Sequence, residues 1–269
     1  MVNEPGKPFL KWTGGKRWLA PRLDNEIPRE YNRYFEPFLG GGALFFYLNP
    51  WPATLSDSNK DLINVYKQVR DNLDPLISRL NKLRISKNSF LEMRKSKPRT
   101  ALNRAVRFLY LNKTAFNGIY RVNQKGEFNV PFGCKPKTRL VDRTLLEDAS
   151  STLQNRTLRA CDFQDSVDQA MENDFVYVDP PYTTKHDNNG FRRYNEVIFS
   201  WDDQVRLAAC CNKAVERGAH VVVSNANHSP VIQLYNNQFT KTVLQRGSSI
   251  SGRSSSRGRT TECLLVAKR

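Results

Sequence analysis

With 269 residues and a net charge of +16, the chain is long enough for a large core with an insertion, and its basicity favours a polyanionic partner, nucleic acid before membrane. No apolar run approaches the roughly 18 residues that span a bilayer, and Met1-Val2-Asn3-Glu4-Pro5 lacks a signal-peptide pattern, so a soluble, cytoplasmic protein without membrane association is expected. Five cysteines without a C-x-x-C pair argue for reduced thiols, and His186, His220 and His228 form no ligand cluster, so no metal is expected.

The chain opens with Phe9-Leu10-Lys11-Trp12-Thr13-Gly14-Gly15-Lys16, a ligand-contacting turn ahead of a predicted helix over 18–26. It is not a Walker A loop, which needs Gly where Leu10 stands and Ser or Thr where Arg17 stands. Tyr34-Phe35-Glu36-Pro37-Phe38 then predicts a strand, Leu39-Gly40-Gly41-Gly42 a tight turn, and 43–48 the start of a helix. Strand, glycine turn and helix let a cofactor approach the backbone at a helix N-terminus. A short strand over 51–56 ends in Asp57, about 20 residues after the turn begins, where nucleotide-binding folds place an acid on ribose. Asp57 or Ser58 could instead cap the next helix.

From 59 to about 117 the pattern is helical, with candidates at 61–70, 74–84, 90–97 and 102–112. Residues 60–143 hold 20 Lys and Arg against 6 Asp and Glu, and 246–259 hold four Arg and no acid. A near-neutral frame bearing one basic block and one basic loop is the layout of a catalytic core with nucleic-acid-binding attachments; a solvated basic surface is the plain alternative. The block ends in Phe116-Asn117-Gly118-Ile119-Tyr120-Arg121 and Lys125-Gly126-Glu127-Phe128-Asn129-Val130-Pro131-Phe132-Gly133, whose turn residues predict a β-hairpin equipped for base edges and phosphates.

Alternation then resumes: a helix at 144–153, a strand at 157–161 ending at Asp162, a helix at 165–172, and the strand Phe175-Val176-Tyr177-Val178 leading into Asp179-Pro180-Pro181-Tyr182. Two prolines remove two N–H groups, which leaves an acid, free carbonyls and an aromatic plane at a strand end. That set suits a flat base with an exocyclic amine, although a proline-rich turn is the bland reading. A helix at 201–217, a strand at 219–224, a helix at 230–235 and a closing hairpin of 239–245 with 261–267 complete the pattern. The Ser/Arg-rich loop 247–258 reads either as a phosphate grip or as a plain tail. Alternating elements imply an α/β fold with a largely parallel sheet, whose ligands bind beyond the strands' carboxyl ends. The glycine turn, Asp57, Asp162, Asp179 and Asn225 all fall there.

Together these motifs resemble the DNA adenine-N6 methyltransferases of the alpha group, the D12 class with a D-P-P-Y motif; the 117–133 segment is most similar to the Dam methylases of bacteria and phages. The resemblance implies a Rossmann-like S-adenosylmethionine-dependent sheet formed by 1–58 and 144–269, with 59–143 an inserted, mainly helical target-recognition domain for double-stranded DNA. It assigns Trp12, Lys16, Asp57 and Asp179 to S-adenosylmethionine, Phe38, Gly40 and Gly42 to the pocket wall, and Asp162 to the adenine. It further gives Lys11, Asn117, Ile119, Arg121 and Pro131 to DNA, with GATC as the expected target. Lys113-Thr114-Ala115-Phe116 departs from the enterobacterial Arg-Tyr-Gly-Tyr, which moves the intercalating aromatic to Phe116. Asp179 and Pro180 would orient the N6 amine of a flipped base while Tyr182 stacks on it. Methylation of cytosine N4 or of an RNA or protein amide, and a noncatalytic DNA-binding regulator, are the rivals. The resemblance places the protein in a prokaryotic cell or phage-infected host, and leaves its protein partners unspecified.

Overall fold

The computed structural model describes residues 5–123, 125–133, 138–182, 199–235, 237–247 and 259–267; Cys134, His186, the polar loop after Tyr182 and all but the first residue of the 247–258 loop lie outside these. One sheet contains β1 (Tyr34–Glu36), β2 (Ala53–Asp57), β3 (Thr157–Ala160), β4 (Phe175–Val178), β5 (His220–Ala226), β6 (Thr240–Gly247) and β7 (Arg259–Ala267), in the order β3-β2-β1-β4-β5-β7-β6. β1, β4 and β5 run parallel, with Tyr34 opposite Phe175 and Phe175 opposite His220. β7 is antiparallel to β5 and forms the expected closing pair with β6. Strand order reverses between β1 and β4, as in a Rossmann-like α/β fold.

The chain clusters into two compact units, the first made of Met1–Asp24, Leu39–Trp51 and Leu55–Cys161, the second of Asn25–Phe38, Pro52–Thr54 and Asp162–Arg269. The first holds α1 (Ala43–Leu48), α2 (Lys60–Asp71), α3 (Leu73–Asn81), α4 (Lys87–Lys95), α5 (Ala101–Thr114) and α6 (Arg143–Leu153). α5 is its centre: Phe108, Leu109, Tyr110, Leu111 and Asn112 in succession are buried, so no side of this stretch is left to solvent. Its ends are set locally, since Thr100 accepts the Asn103 N–H, just as Ser86 and Asp142 cap α4 and α6.

Two expectations are corrected in this unit. The helix over 18–26 is only a 3-10 turn, Ala20–Arg22, because Pro21 can donate no hydrogen bond and fits only the first turn of a helix. The 116–133 hairpin carries isolated bridges, Ala115 with Phe132 and Val122 with Phe128, in place of continuous strands. Phe116–Gly118 coils as a 3-10 turn with Asn117 at φ 53°, and Pro131 has no N–H to give a ladder.

The second unit contains α7 (Phe163–Val167), α8 (Trp201–Glu216) and α9 (Ser229–Ile232). All four residues of β4 are buried, which is why the strand reads as a continuous apolar run. Burying each of its larger side chains stabilises the fold by about 1.5–3 kcal/mol. α8 starts with a capping box in which Ser200 and Asp203 exchange hydrogen bonds. Cys210, Cys211 and Cys263 are buried and Cys161 is half-buried, and burial pushes the Cys263 thiol up to about 11. Among the described residues no helix is long and apolar enough to cross a membrane.

Candidate active site

The glycine turn leaves β1 and is held from both sides of one residue. Gly40, at φ 48°, gives its N–H to Asp57 Oδ2 at 3.0 Å, and its carbonyl accepts the Tyr66 hydroxyl at 3.0 Å. Trp12 lies against the same residue, since a Cβ on Gly40 would stand 2.8 Å from the indole ring. The indole is nearly parallel to Phe108 and Tyr120, each with ring centroids 6.3 Å away. Gly42 sits at φ 66° at the head of α1, where a Cβ would meet the Tyr66 hydroxyl at 3.1 Å. Buried Lys16 accepts the Leu19 and Ala20 N–H groups through its carbonyl.

Asp57 closes β2 and does not cap α2; Asn59 does, accepting the Asp61 and Leu62 N–H groups. The Asp57 carboxylate instead takes main-chain N–H bonds from Asn59 at 2.9 Å and Gly40. Burial pushes its pKa above the usual carboxylate range, and these two donors oppose that rise. An ionised carboxylate oxygen accepts more than one hydrogen bond, so both oxygens can take hydroxyl donors as well. Glycine main chain, an acid and an indole face form a donor set suited to a nucleoside cofactor.

The second unit carries the Asp179-Pro180-Pro181-Tyr182 corner directly after β4. Asp179 and Tyr182 are half-buried and Pro180 is buried. The Tyr182 hydroxyl donates to Glu262 Oε2 at 3.0 Å and lies 3.1 Å from Ser224 Oγ. Glu262 and Ser224 are buried on the adjacent strands β7 and β5, so the ring is anchored at its far end by the sheet itself. Burial, followed by the Asp179 and Glu262 charges, holds the Tyr182 phenol well above its ordinary pKa, so it remains a donor at neutral pH. Pro181 is held through its carbonyl by a long 3.5 Å bond from Gln204, which accepts from Asn225 at 3.1 Å. On β4, the Tyr177 phenol is raised by burial and then by Asp179, Glu36 and Glu262.

Asp162 is differently occupied. It caps α7 by accepting the Gln164 N–H at 2.9 Å, and Arg206 grips both its oxygens at 2.7 and 3.0 Å. That guanidinium holds the Asp162 carboxyl below the usual range and also lies 4.2 Å from the Phe163 ring centroid. Phe38 stacks on Phe163 at 5.4 Å and meets Phe199 edge-on, so its ring is fixed as a wall.

The predicted DNA readers gather in the first unit. Lys11 is exposed and its side chain rests against Gly118, while Asn117 and Pro131 are exposed and Ile119 and Arg121 half-buried. Arg121 Nε donates to Asn129 Oδ1 at 2.8 Å, and Pro131 accepts the Phe116 N–H. Phe116 is 48% exposed, unusual for so large an apolar side chain. Sequence reasoning missed Tyr66, Glu262, Ser224, Gln204 and Arg206. A lone acid within the apolar run of β7 is the one signal that could have flagged Glu262. Among the described residues no group of three or more His, Cys, Asp or Glu is placed to hold a metal.

The family model described as D12 class N6 adenine-specific DNA methyltransferase matches residues 12–250. The type II methyltransferase M1.LlaDCHI of Lactococcus lactis subsp. cremoris is 39% identical over 97% of this chain and 95% of its own. The type II methyltransferase M.MjaIII of Methanocaldococcus jannaschii is 36% identical over 82% of this chain and 84% of its own. The DNA adenine methylase of Haemophilus influenzae is 32% identical over 90% of this chain and 88% of its own.

Proposed function

The chain belongs to the D12 class of N6 adenine-specific DNA methyltransferases, and from that premise we propose that it methylates the adenine of GATC in duplex DNA after flipping the base out of the stack. The supporting observation is the anchored corner: Tyr182 fixed by Glu262 and Ser224, in the same short turn as Asp179 and Pro180. Adenine N6 is a poor nucleophile because its lone pair is delocalised into the ring, and in the duplex it is out of reach. Tyr182 stacks on the extruded base. The Asp179 carboxylate and the Pro180 carbonyl take its two N6 protons in hydrogen bonds, which draws the nitrogen lone pair out of conjugation with the ring and aims it at the sulfonium methyl. Orientation of this kind supplies most of the rate. S-adenosylmethionine supplies the electrophilic methyl. Transfer would exchange the sulfonium S–CH3 bond for the N6–CH3 bond and leave S-adenosylhomocysteine, while N6 gives up one proton towards Asp179, so a weak base suffices.

In this reading Trp12, Lys16, Asp57 and Asp179 would hold the cofactor, with Asp57 accepting from ribose hydroxyls and Phe38, Gly40 and Gly42 shaping the pocket. Asp162 serves the cofactor adenine only while shared with Arg206. Residues 59–143 form the target-recognition insert: Arg121 reads a guanine, Lys11 the first guanine, and Asn117, Ile119 and Pro131 line the remaining bases. GATC rests on the likeness of 117–133 to Dam methylases. Relatives named type II methyltransferases support a restriction-modification setting. Asp179→Ala is expected to abolish methyl transfer from tritiated S-adenosylmethionine while salt-sensitive duplex binding persists. Retained turnover would remove Asp179 from the chemistry.

A further inference from the structure

Asn112, on the last turn of α5, has no exposed surface, and its carboxamide is spent on two chain segments. Its Oδ1 accepts the Lys11 N–H at 3.1 Å, and its Nδ2 donates to the Lys11 carbonyl at 2.7 Å and the Gly118 carbonyl at 3.1 Å. One acceptor and two donors are what an asparagine side chain offers and neither aspartate nor leucine does. The adjoining residue reinforces the grip, because Lys113 Nζ donates to the Phe9 carbonyl at 2.9 Å. The clasped segments touch directly. Gly118 lies at φ 67°, and a Cβ there would come within 2.6 Å of the Lys11 side chain.

We infer that Asn112 is a specificity-positioning residue: its carboxamide locks Lys11 to the 117–121 tip, so that side chains from two distant segments read the DNA site in one register. Lys11 and Gly118 stand 107 positions apart in the chain, and this one buried amide bonds to both. The inference rests on the proposed reading that Lys11 and Arg121 meet base edges. Asn112→Asp keeps the acceptor for the Lys11 N–H but turns a carboxylate oxygen towards two carbonyls, which pushes the segments apart. Gly118→Ala forces the same displacement without altering the amide.

The test uses the full-length protein, S-adenosylmethionine and genomic DNA lacking adenine methylation. Sequencing of methylated positions gives the ratio of methylation at the preferred site to that at sites differing by one base. A general loss of activity scales both and leaves this ratio unchanged. Asn112→Asp and Gly118→Ala are each expected to lower the ratio by roughly tenfold, within the range one good base contact supplies. Lys11→Ala and Arg121→Ala are run alongside, and thermal melting establishes which variants are folded. An unchanged ratio in a folded Asn112 or Gly118 variant, with a relaxed one in Lys11→Ala or Arg121→Ala, overturns the inference alone. Unchanged ratios in both Lys11→Ala and Arg121→Ala overturn the underlying reading and the inference with it. If Asn112→Asp does not fold, Gly118→Ala decides.

Discussion

The ends of β2 and β3 carry the same sequence signal and opposite electrostatics. Asp57 closes β2 and, among the described residues, takes its hydrogen bonds from main-chain N–H groups, with burial raising its pKa. Asp162 follows β3 and is met by Arg206, a cation it shares with Asp203, which ties α7 to α8. An acid at a strand end is therefore not by itself a ligand site. What decides is whether its partners leave a net charge for something else to use.

Substitutions separate the two directly. Asp57→Ala removes charge-assisted hydrogen bonds worth about 1.5–3 kcal/mol each, so S-adenosylmethionine affinity by calorimetry should fall roughly 10- to 100-fold. A fall confined to Asp162→Ala would reverse the comparison. Glu262 sharpens it, since this third acid is spent on orienting another side chain. Glu262→Gln and Tyr182→Phe should each slow single-turnover methylation by about tenfold, the effect of losing one hydrogen bond to a charged group. In the Tyr182→Phe background Glu262→Gln should add little; a full second tenfold loss would mean that the two act separately. Asp162→Asn should have the smallest effect, about 1 kcal/mol of stability at most, because the ion pair is solvent-exposed. Denaturant melts measure it.

pH gives the contrast a sign. Burial raises the Asp57 pKa above its unfolded value, so ionising it opposes folding: the stability it adds is present below the unfolded value and is lost as pH rises through the raised one. Cofactor binding needs the carboxylate, so wild-type affinity should weaken as pH falls through that raised value, while Asp57→Asn binds weakly and without this dependence. Asp162 runs the other way. Arg206 lowers its pKa, and the stability it adds is present above the ordinary aspartate range and lost as pH falls through the lowered value. Equal pH slopes for Asp57→Asn and wild type would contradict the role of Asp57.

The strands and the turns at their ends were legible because each rests on local rules. Phe175-Val176-Tyr177-Val178 is apolar throughout and buried throughout, and the glycine turn and proline pair punctuate the chain where the sheet ends. Long-range partnerships were not legible. Tyr182 and Glu262 lie 80 residues apart, and Lys11 and Asn112 lie 101 apart, so no window of sequence holds both members. β7 is buried at every position from Glu262 to Ala267, which removes the alternation that could have set Glu262 apart. The 18–26 helix failed for a local reason that was in view, the proline at 21.

The central claim is tested most directly by incubating the wild-type protein with S-adenosylmethionine and genomic DNA lacking adenine methylation, then mapping every methylated base. N6-methyladenine confined to GATC is the expected result. Methyl groups on cytosine N4, or none on DNA at all, would contradict it.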